Sequence, residues 1–476
     1  AKKPKALIVG GGLSATILLK YLKDVADVTS IEAKDRSLGL WNYNSITDSS
    51  KEAKNDHFYR ENGTVHSSLY EFLIANAPNY FMQFKDFPYP KEKALYPSRQ
   101  DFFLYMEQYI EHFGLKHLYR LNTFVTEVKL VKNLKEEELK QLKESKSEAL
   151  DLTKKFLVRT VSSSDTKQEK TITETCDYCF IANGHNSIPM EYSIEGQENF
   201  KGSIIHSHNF RRPDHEMFVN KTVAVLGTSY SGMDMMVQLL TNPVLGDAKP
   251  KKILLAGDTE FAERTQDYKR FIDEGRLVFK SGRKQSITFE RKVLFSDGSA
   301  EEVDTIVVAN GYKFGFPFLE RSGDELVRME LEGKYFGPLF LRMFSINEPD
   351  LIFIGANDFS FFIQLILERQ SIISRDYILG KIRLPLKEEM MKDLEKEIKE
   401  NYIDKNVPLR KYWRLEPNVH DFPLLKKMAA LGNYRLNQEH IDKLTPVSDL
   451  CLKHELQGDW IKYRNDPLLR LLYPDF

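Results

Sequence analysis

The 476-residue chain is 42% hydrophobic, ordinary for a folded globular protein and long enough for two or three domains with sizeable cores, which excludes a disordered or fibrous chain. Lys plus Arg (68) nearly balance Asp plus Glu (69), so no global field favours nucleic acid or an acidic membrane, and no nucleic-acid partner is expected. Three cysteines, Cys176, Cys179 and Cys451, are too few for a disulfide framework and point to a reducing compartment, taken as the cytoplasm; no apolar run approaches the roughly 18 residues of a membrane span, and a cleaved organellar presequence would leave no trace.

In chain order, Lys5 to Val9 is a short continuous apolar run, the pattern of a strand buried on both faces of a parallel sheet. It leads into Gly10-Gly11-Gly12-Leu13-Ser14-Ala15 and an apolar helix, Ala15 to Leu22. Gly10 permits the tight turn, Gly12 lets a pyrophosphate approach the backbone, and Ala15 stands where a third glycine would let helix pack on strand. The next strand, Val28 to Ile31, ends in Glu32, whose carboxylate is placed to hold ribose hydroxyls. Strand, turn, helix and acid in register predict an adenine dinucleotide at the N-terminus.

Further on, the aromatics Phe81, Phe84, Phe87 and Tyr89 read by themselves as core packing. The stretch Leu134 to Glu148 places Leu134, Leu139 and Leu142 at helical spacing on an otherwise charged helix and reads as a solvated insertion. Phe156 to Val161 and Thr171 to Thr175 read as a β-hairpin. Cys176-Asp177-Tyr178-Cys179 has redox C-x-x-C spacing, yet it enters an apolar strand instead of opening a helix. Thr222 to Leu226 is a second buried strand, followed by a second glycine turn with Gly227, Ser229, Ser231 and Gly232 that opens a helix able to point free N–H groups at a phosphate. Its partner strand, Lys252 to Ala256, is followed by Gly257-Asp258-Thr259-Glu260. A carboxylate there suits a ribose 2′-hydroxyl, a 2′-phosphate requires a cation, and no basic residue follows until Arg264. Met390, Leu394 and Ile398 form the core face of a helix, Lys387 to Glu400. His112, His117, His420, His440 and His454 show no ligand spacing, so no metal is expected.

Several stretches together resemble the flavin-containing monooxygenases. Ser37 to Tyr43 with Leu40 and Trp41, Ser68-Leu69-Tyr70, Asn76-Ala77-Pro78, and Met82 through Pro90 look like that family's GGLW, SLY, N-x-P and M-x-F-x-DFP-x-P segments. Phe200, Gly202, His206, Phe210, Arg211 and Pro213 resemble its identifying F-x-G-x-x-x-H-S-x-x-Y/F-R-x-P motif, a specific signal because several residue types coincide at fixed spacing. Baeyer–Villiger relatives end that motif in Trp, so Phe210-Arg211 favours the N- and S-oxygenating branch. Gly227 to Asp234 resembles the family's NADP loop, and Ala182-Asn183-Gly184-His185 and Ala309-Asn310-Gly311-Tyr312 resemble its two A-T-G turns with asparagine replacing both threonines. Asn keeps both hydrogen-bonding functions. Asn357-Asp358 and the aromatics Phe359 to Phe362 would lie near the flavin ring, and Gln457-Gly458-Asp459-Trp460 is weakly similar to the tail of soluble microbial relatives.

The resemblance implies an α/β fold with two Rossmann-like dinucleotide-binding domains, the nicotinamide domain inserted into the FAD domain. The expected segments are 1–210 (FAD, with a charged insertion at about 132–170), 211–304 (nicotinamide), 305–380 (FAD again) and a helical and aromatic tail, 381–476. It implies an FAD- and NAD(P)H-dependent monooxygenase in which oxygen adds to reduced flavin as a C4a-hydroperoxide and a soft nitrogen or sulfur of a small molecule attacks it. Asn76 is the implied catalytic residue, and Leu40, Trp41, His206 and Asn310 join the cofactor-binding set. Taken alone, His206 is more often a hydrogen-bonded residue that connects two domains. NADPH is the family default, while Asp258 argues for NADH use. A homodimer is an allowed arrangement. Two other classes stay open: a flavin-dependent reductase, and a catalytically altered subunit serving binding or assembly.

Overall fold

The computed structural model describes residues 2–432 apart from 146, 148, 163–169, 259–267, 358–359, 361 and 416–419. Arg264, Asp358, Phe359, Phe361, His440, Cys451, His454 and the Gln457 to Trp460 stretch lie outside the described residues.

Two open sheets organise the chain. The first has seven strands in the order Leu339–Phe340, Phe344–Ser345, Leu351–Phe353, Tyr178–Ile181, Lys5–Val9, Asp27–Ile31, Tyr119–Arg120. Lys5–Val9 lies between parallel neighbours, with Leu7 level with Thr29 on one side and Cys179 on the other. Ala6, Leu7 and Ile8 are fully buried, as a run without polar alternation requires. The helix Leu13–Leu22 packs one face of this sheet with Ala15, Ile17, Leu18, Leu19 and Leu22 buried.

The second sheet is parallel throughout: Leu277–Ser281, Lys252–Gly257, Thr222–Leu226, Thr305–Val308, Ser203–His206. It takes a strand from each side of the 211–304 segment, because Thr305–Val308 pairs with Thr222–Leu226 and Ser203–His206 with Thr305–Val308. Where the chain crosses between lobes, Ile188–Pro189 and Tyr312–Lys313 form a short antiparallel ladder.

A third, antiparallel sheet joins Thr123–Leu130, Phe156–Ser162 and Thr171–Cys176, so part of the expected insertion is sheet with buried Phe156, Leu157 and Val158. The helix within it is shorter than Leu134 to Glu148, running Glu136–Glu144, and its leucine stripe is put to use: Leu139 and Leu142 cover a small apolar cluster of Val131, Leu134 and Leu157. Residues beyond 381 do more than trail. Met390 and Leu394 are buried, Trp413 stacks on Phe336 with centroids 4.5 Å apart, and fully buried Arg342 reaches Glu397 at 2.7 Å, so this stretch completes the core beside the first sheet. No helix of the described residues is long and apolar enough to cross a membrane.

Candidate active site

The carboxyl ends of both sheets face one cavity of about 1300 Å3, lined by Val9, Ile31 and Ala182 from the first and by Leu226, Ala256 and Val308 from the second. Small-molecule pockets run to roughly 300–1000 Å3, so this one is larger than a single drug-sized ligand requires. Both glycine turns open on it. Gly10 has φ +105° and a Cβ there would sit 2.5 Å from the Ala182 carbonyl oxygen; Gly227 has φ +126° and a Cβ would collide with the Ala309 carbonyl. The same device is used twice: only a residue without a side chain lets the strand turn into its helix against the neighbouring strand. Beyond each turn a helix, Leu13–Leu22 or Tyr230–Thr241, presents its N-terminus to the cavity without a side-chain cap, leaving amides for an anion.

Glu32 is buried at the end of Asp27–Ile31. Its Oε2 accepts the Gly11 N–H at 2.7 Å and its Oε1 the Lys34 N–H at 2.8 Å. Burial pushes its carboxyl up, against those two amides and the Lys34 charge. A carboxylate has about four lone-pair sites, so capacity remains for a ligand hydroxyl.

Gly10, Gly12, Glu32, Leu40, Trp41, Asn76, Gly227, Ser229, Ser231, Asp258 and Asn310 all line the cavity. Trp41 is held in that wall by Phe102, with centroids 4.4 Å apart. Three residues expected to bind cofactor are not in the lining. Ala15 is fully buried where helix meets sheet, and Gly232 faces the Gly227 carbonyl, which a Cβ would overlap; both serve packing behind the turn. His206 is likewise buried behind the wall.

His206 does have a defined task. Its Nδ1 accepts the His208 N–H at 2.9 Å, which leaves Nε2 protonated to donate to Asn310 Oδ1 at 2.8 Å, while Asn310 Nδ2 donates to the Glu191 carbonyl at 3.0 Å. Asparagine thus uses both functions where threonine has one hydroxyl. The neighbouring motif residues reach toward segment 46–67, which carries the short helix His57–Asn62. His208 Nε2 donates to the Val65 carbonyl at 2.8 Å, Asn209 exchanges two bonds with Asp48, and Arg211 donates to the carbonyls of Ile46, Ser67, His208 and Phe210. Burial lowers both histidines, His208 to about 4. The other replacement, Asn183, donates to the Gly315 carbonyl at 3.1 Å.

Asn357, expected from sequence near the flavin ring, and Gln364, which was not singled out, line the cavity while almost fully buried; both polar atoms of the Asn357 amide and the Gln364 Oε1 lack a hydrogen-bond partner. Such orphans are costly unless a ligand satisfies them, so the wall fits a bound group with a polar edge. Ser360, also in the lining, donates to buried Asp421, whose carboxyl burial pushes up to about 8. Arg283, later in the chain than Arg264 and not singled out from sequence, lines the rim and pairs with Asp258. Counting one strand further along the second sheet would have found it. Cys176 and Cys179 are fully buried free thiols outside the lining, where burial pushes the Cys176 thiol up, so no dithiol faces the cavity among the described residues.

The chain matches the family profile described as flavin-binding monooxygenase-like over residues 2–245 and 267–413. It is 29% identical over 472 residues to the flavin-containing monooxygenase FMO GS-OX-like 9 of Arabidopsis thaliana, covering 92% of each chain. It is 24% identical over 480 residues to a trimethylamine monooxygenase of Pelagibacter sp. (strain HTCC7211), covering 97% of this chain and 92% of that one. Among solved structures, S-allyl-L-cysteine S-oxygenase from Allium sativum superimposes with a TM-score of 0.76 at 23% identity, covering 100% of this chain and 99% of that one.

Proposed function

The chain belongs to the flavin-binding monooxygenase-like family, and on that premise we propose that it places one oxygen atom of O2 on the nitrogen or sulfur of a small molecule, using FAD and NADPH or NADH. It is an oxidoreductase of the flavin-containing monooxygenase type. FAD, when bound, supplies hydride acceptance and oxygen activation, and the remaining tasks fall to the chain. The observation that carries this reading is a single cavity faced by both glycine turns, so that a nicotinamide reductant and a flavin can share one chamber.

The Gly10 turn and the start of Leu13–Leu22 would hold the flavin nucleotide's pyrophosphate, with Glu32 accepting from its ribose. The orphaned amides of Asn357 and Gln364 would bond to the polar edge of the ring system. The Gly227 turn with Ser229 and Ser231 would hold the nicotinamide nucleotide. Leu40 and Trp41 exclude water on one side, which strengthens every polar interaction inside. Asn76, half-buried in the wall, would direct its carboxamide at the site of oxygen transfer. We place the boundaries of the nicotinamide lobe at the paired linkers Ile188–Pro189 and Tyr312–Lys313, wider than 211–304 on both sides. Relatives named for trimethylamine and S-allyl-L-cysteine support small amines and thioethers as the substrate class.

The test combines an absorption spectrum for bound flavin, anaerobic reduction by NADPH and NADH, and oxygen uptake with trimethylamine or a small thioether. Asn76→Ala should keep flavin content and reduction and lose roughly a hundredfold in product formation, with hydrogen peroxide released instead. Unchanged coupling of cofactor oxidation to product removes Asn76 from the catalytic role. A protein that binds no flavin overturns the reading as a whole.

A further inference from the structure

At the carboxyl edge of the second sheet, Lys252–Gly257 and Leu277–Ser281 run side by side with Gly257 level with Ser281, and Gly282 donates its N–H to the Gly257 carbonyl at 2.7 Å. Just past these strand ends, Asp258, one residue after Gly257, and Arg283, two after Ser281, meet. Arg283 Nε donates to Asp258 Oδ1 at 2.8 Å and its Nη2 donates to Oδ2, so the guanidinium fork is taken up by the carboxylate. Each charge stabilises the other, lowering the Asp258 carboxyl and raising the Arg283 guanidinium. Both residues line the cavity rim. Gly257 packs on Thr228 so closely that a Cβ would overlap the threonine side chain, which sets Asp258 beside the second glycine turn.

The side chains of Arg283 and Asp258 are 70% and 53% exposed, so the pair opens at little cost. A carboxylate and a phosphate compete for the same face of a guanidinium, and each can take it through two parallel bonds. Lys269 is absent from the lining.

We propose that Asp258 and Arg283 form an exchange pair through which this rim accepts both kinds of nicotinamide dinucleotide. With a 2′-hydroxyl, Asp258 accepts from the ribose while still paired with Arg283. With a 2′-phosphate, the phosphate displaces Asp258 from the Arg283 fork. Asp258 is therefore a built-in competitor that sets how tightly the phosphate is held. This rests on the reading of the Gly227 turn as the nicotinamide site.

The experiment is calorimetric titration of the purified protein with 2′,5′-ADP and with 5′-AMP, in wild type, Arg283→Gln and Asp258→Asn, together with anaerobic flavin reduction by NADPH and NADH. Both residues are exposed, so the variants are expected to fold. Arg283→Gln should lose about tenfold to a hundredfold in affinity for 2′,5′-ADP with 5′-AMP little changed. Asp258→Asn should bind 2′,5′-ADP several-fold more tightly, on the order of one charge-assisted bond released from competition. The ratio of kcat/KM for flavin reduction by the two dinucleotides should move the same way. Equal 2′,5′-ADP affinity in wild type and Arg283→Gln overturns the proposal, as does weaker binding in Asp258→Asn. Wild type that binds neither nucleotide and is reduced by neither dinucleotide overturns the nicotinamide-site reading instead.

Discussion

Arg211→Met removes the guanidinium of a residue that is 8% exposed and that clasps segment 46–67 to the strand end at His206. Five bonds go to four backbone carbonyls: Nη2 to Ile46 at 2.7 Å and Ser67 at 2.8 Å, Nη1 to His208 at 2.6 Å and Phe210 at 3.0 Å, and Nε to Ile46 at 3.2 Å. At about 1 kcal/mol for each carbonyl left without a donor, the loss is about 4 kcal/mol. Removing the desolvated charge returns part of that, leaving about 2–4 kcal/mol. Set against total stabilities of about 5–15 kcal/mol, this is a large fraction. Arg211→Lys should lie between, because an ammonium has three donors and no planar fork. The assay is urea unfolding followed by circular dichroism, with the free energy taken from midpoint and slope. A loss below about 1 kcal/mol in Arg211→Met, or no difference between lysine and methionine, refutes the account of the clasp.

Burial holds His208 down to about 4, and with Nε2 donating to Val65 a second proton would go on Nδ1, which has no partner in the folded protein. Its folded pKa lies below the unfolded value of about 6.5, so its contribution is complete above that pH and is lost as pH falls from about 6.5 toward 4, at about 1.4 kcal/mol per unit. Stability of wild type minus His208→Gln, plotted against pH, should fall across that window; a flat difference counts against it. Gly10→Ala should force the turn away from the Ala182 carbonyl and lose flavin content with a destabilisation of about 1–3 kcal/mol, and full flavin content in this variant contradicts the turn's role. Replacing Glu136–Glu144 by a Gly/Ser linker should uncover the Val131, Leu134 and Leu157 cluster and cost about 1–3 kcal/mol while flavin content stays unchanged; loss of flavin would show that the helix supports the site.

Local patterns in the chain were enough to identify the two buried strands Lys5–Val9 and Thr222–Leu226, their glycine turns, the hairpin after 155 and the core face of Lys387–Ile398. Each rests on what neighbouring residues do to one another: an apolar run without alternation must be buried on both faces, and a strand that turns at once into a helix needs a residue free to take positive φ. The order of motifs along the chain also carried the family resemblance and the placement of Asn76, Leu40 and Trp41. Other features required residues distant in sequence to meet. Arg283 lies beside Asp258 because two strands share a register, Arg211 finds its carbonyls on a segment about 150 positions earlier, and Trp413 reaches Phe336 only after the last strand of the first sheet and the helix Lys387–Ile398 have intervened. His206 and Gly232, polar or small and set in binding motifs, turned out to stand behind the wall. Which side of a wall a residue occupies follows from the sum of many weak contacts made on folding, and periodicity along a single strand or helix does not contain that sum.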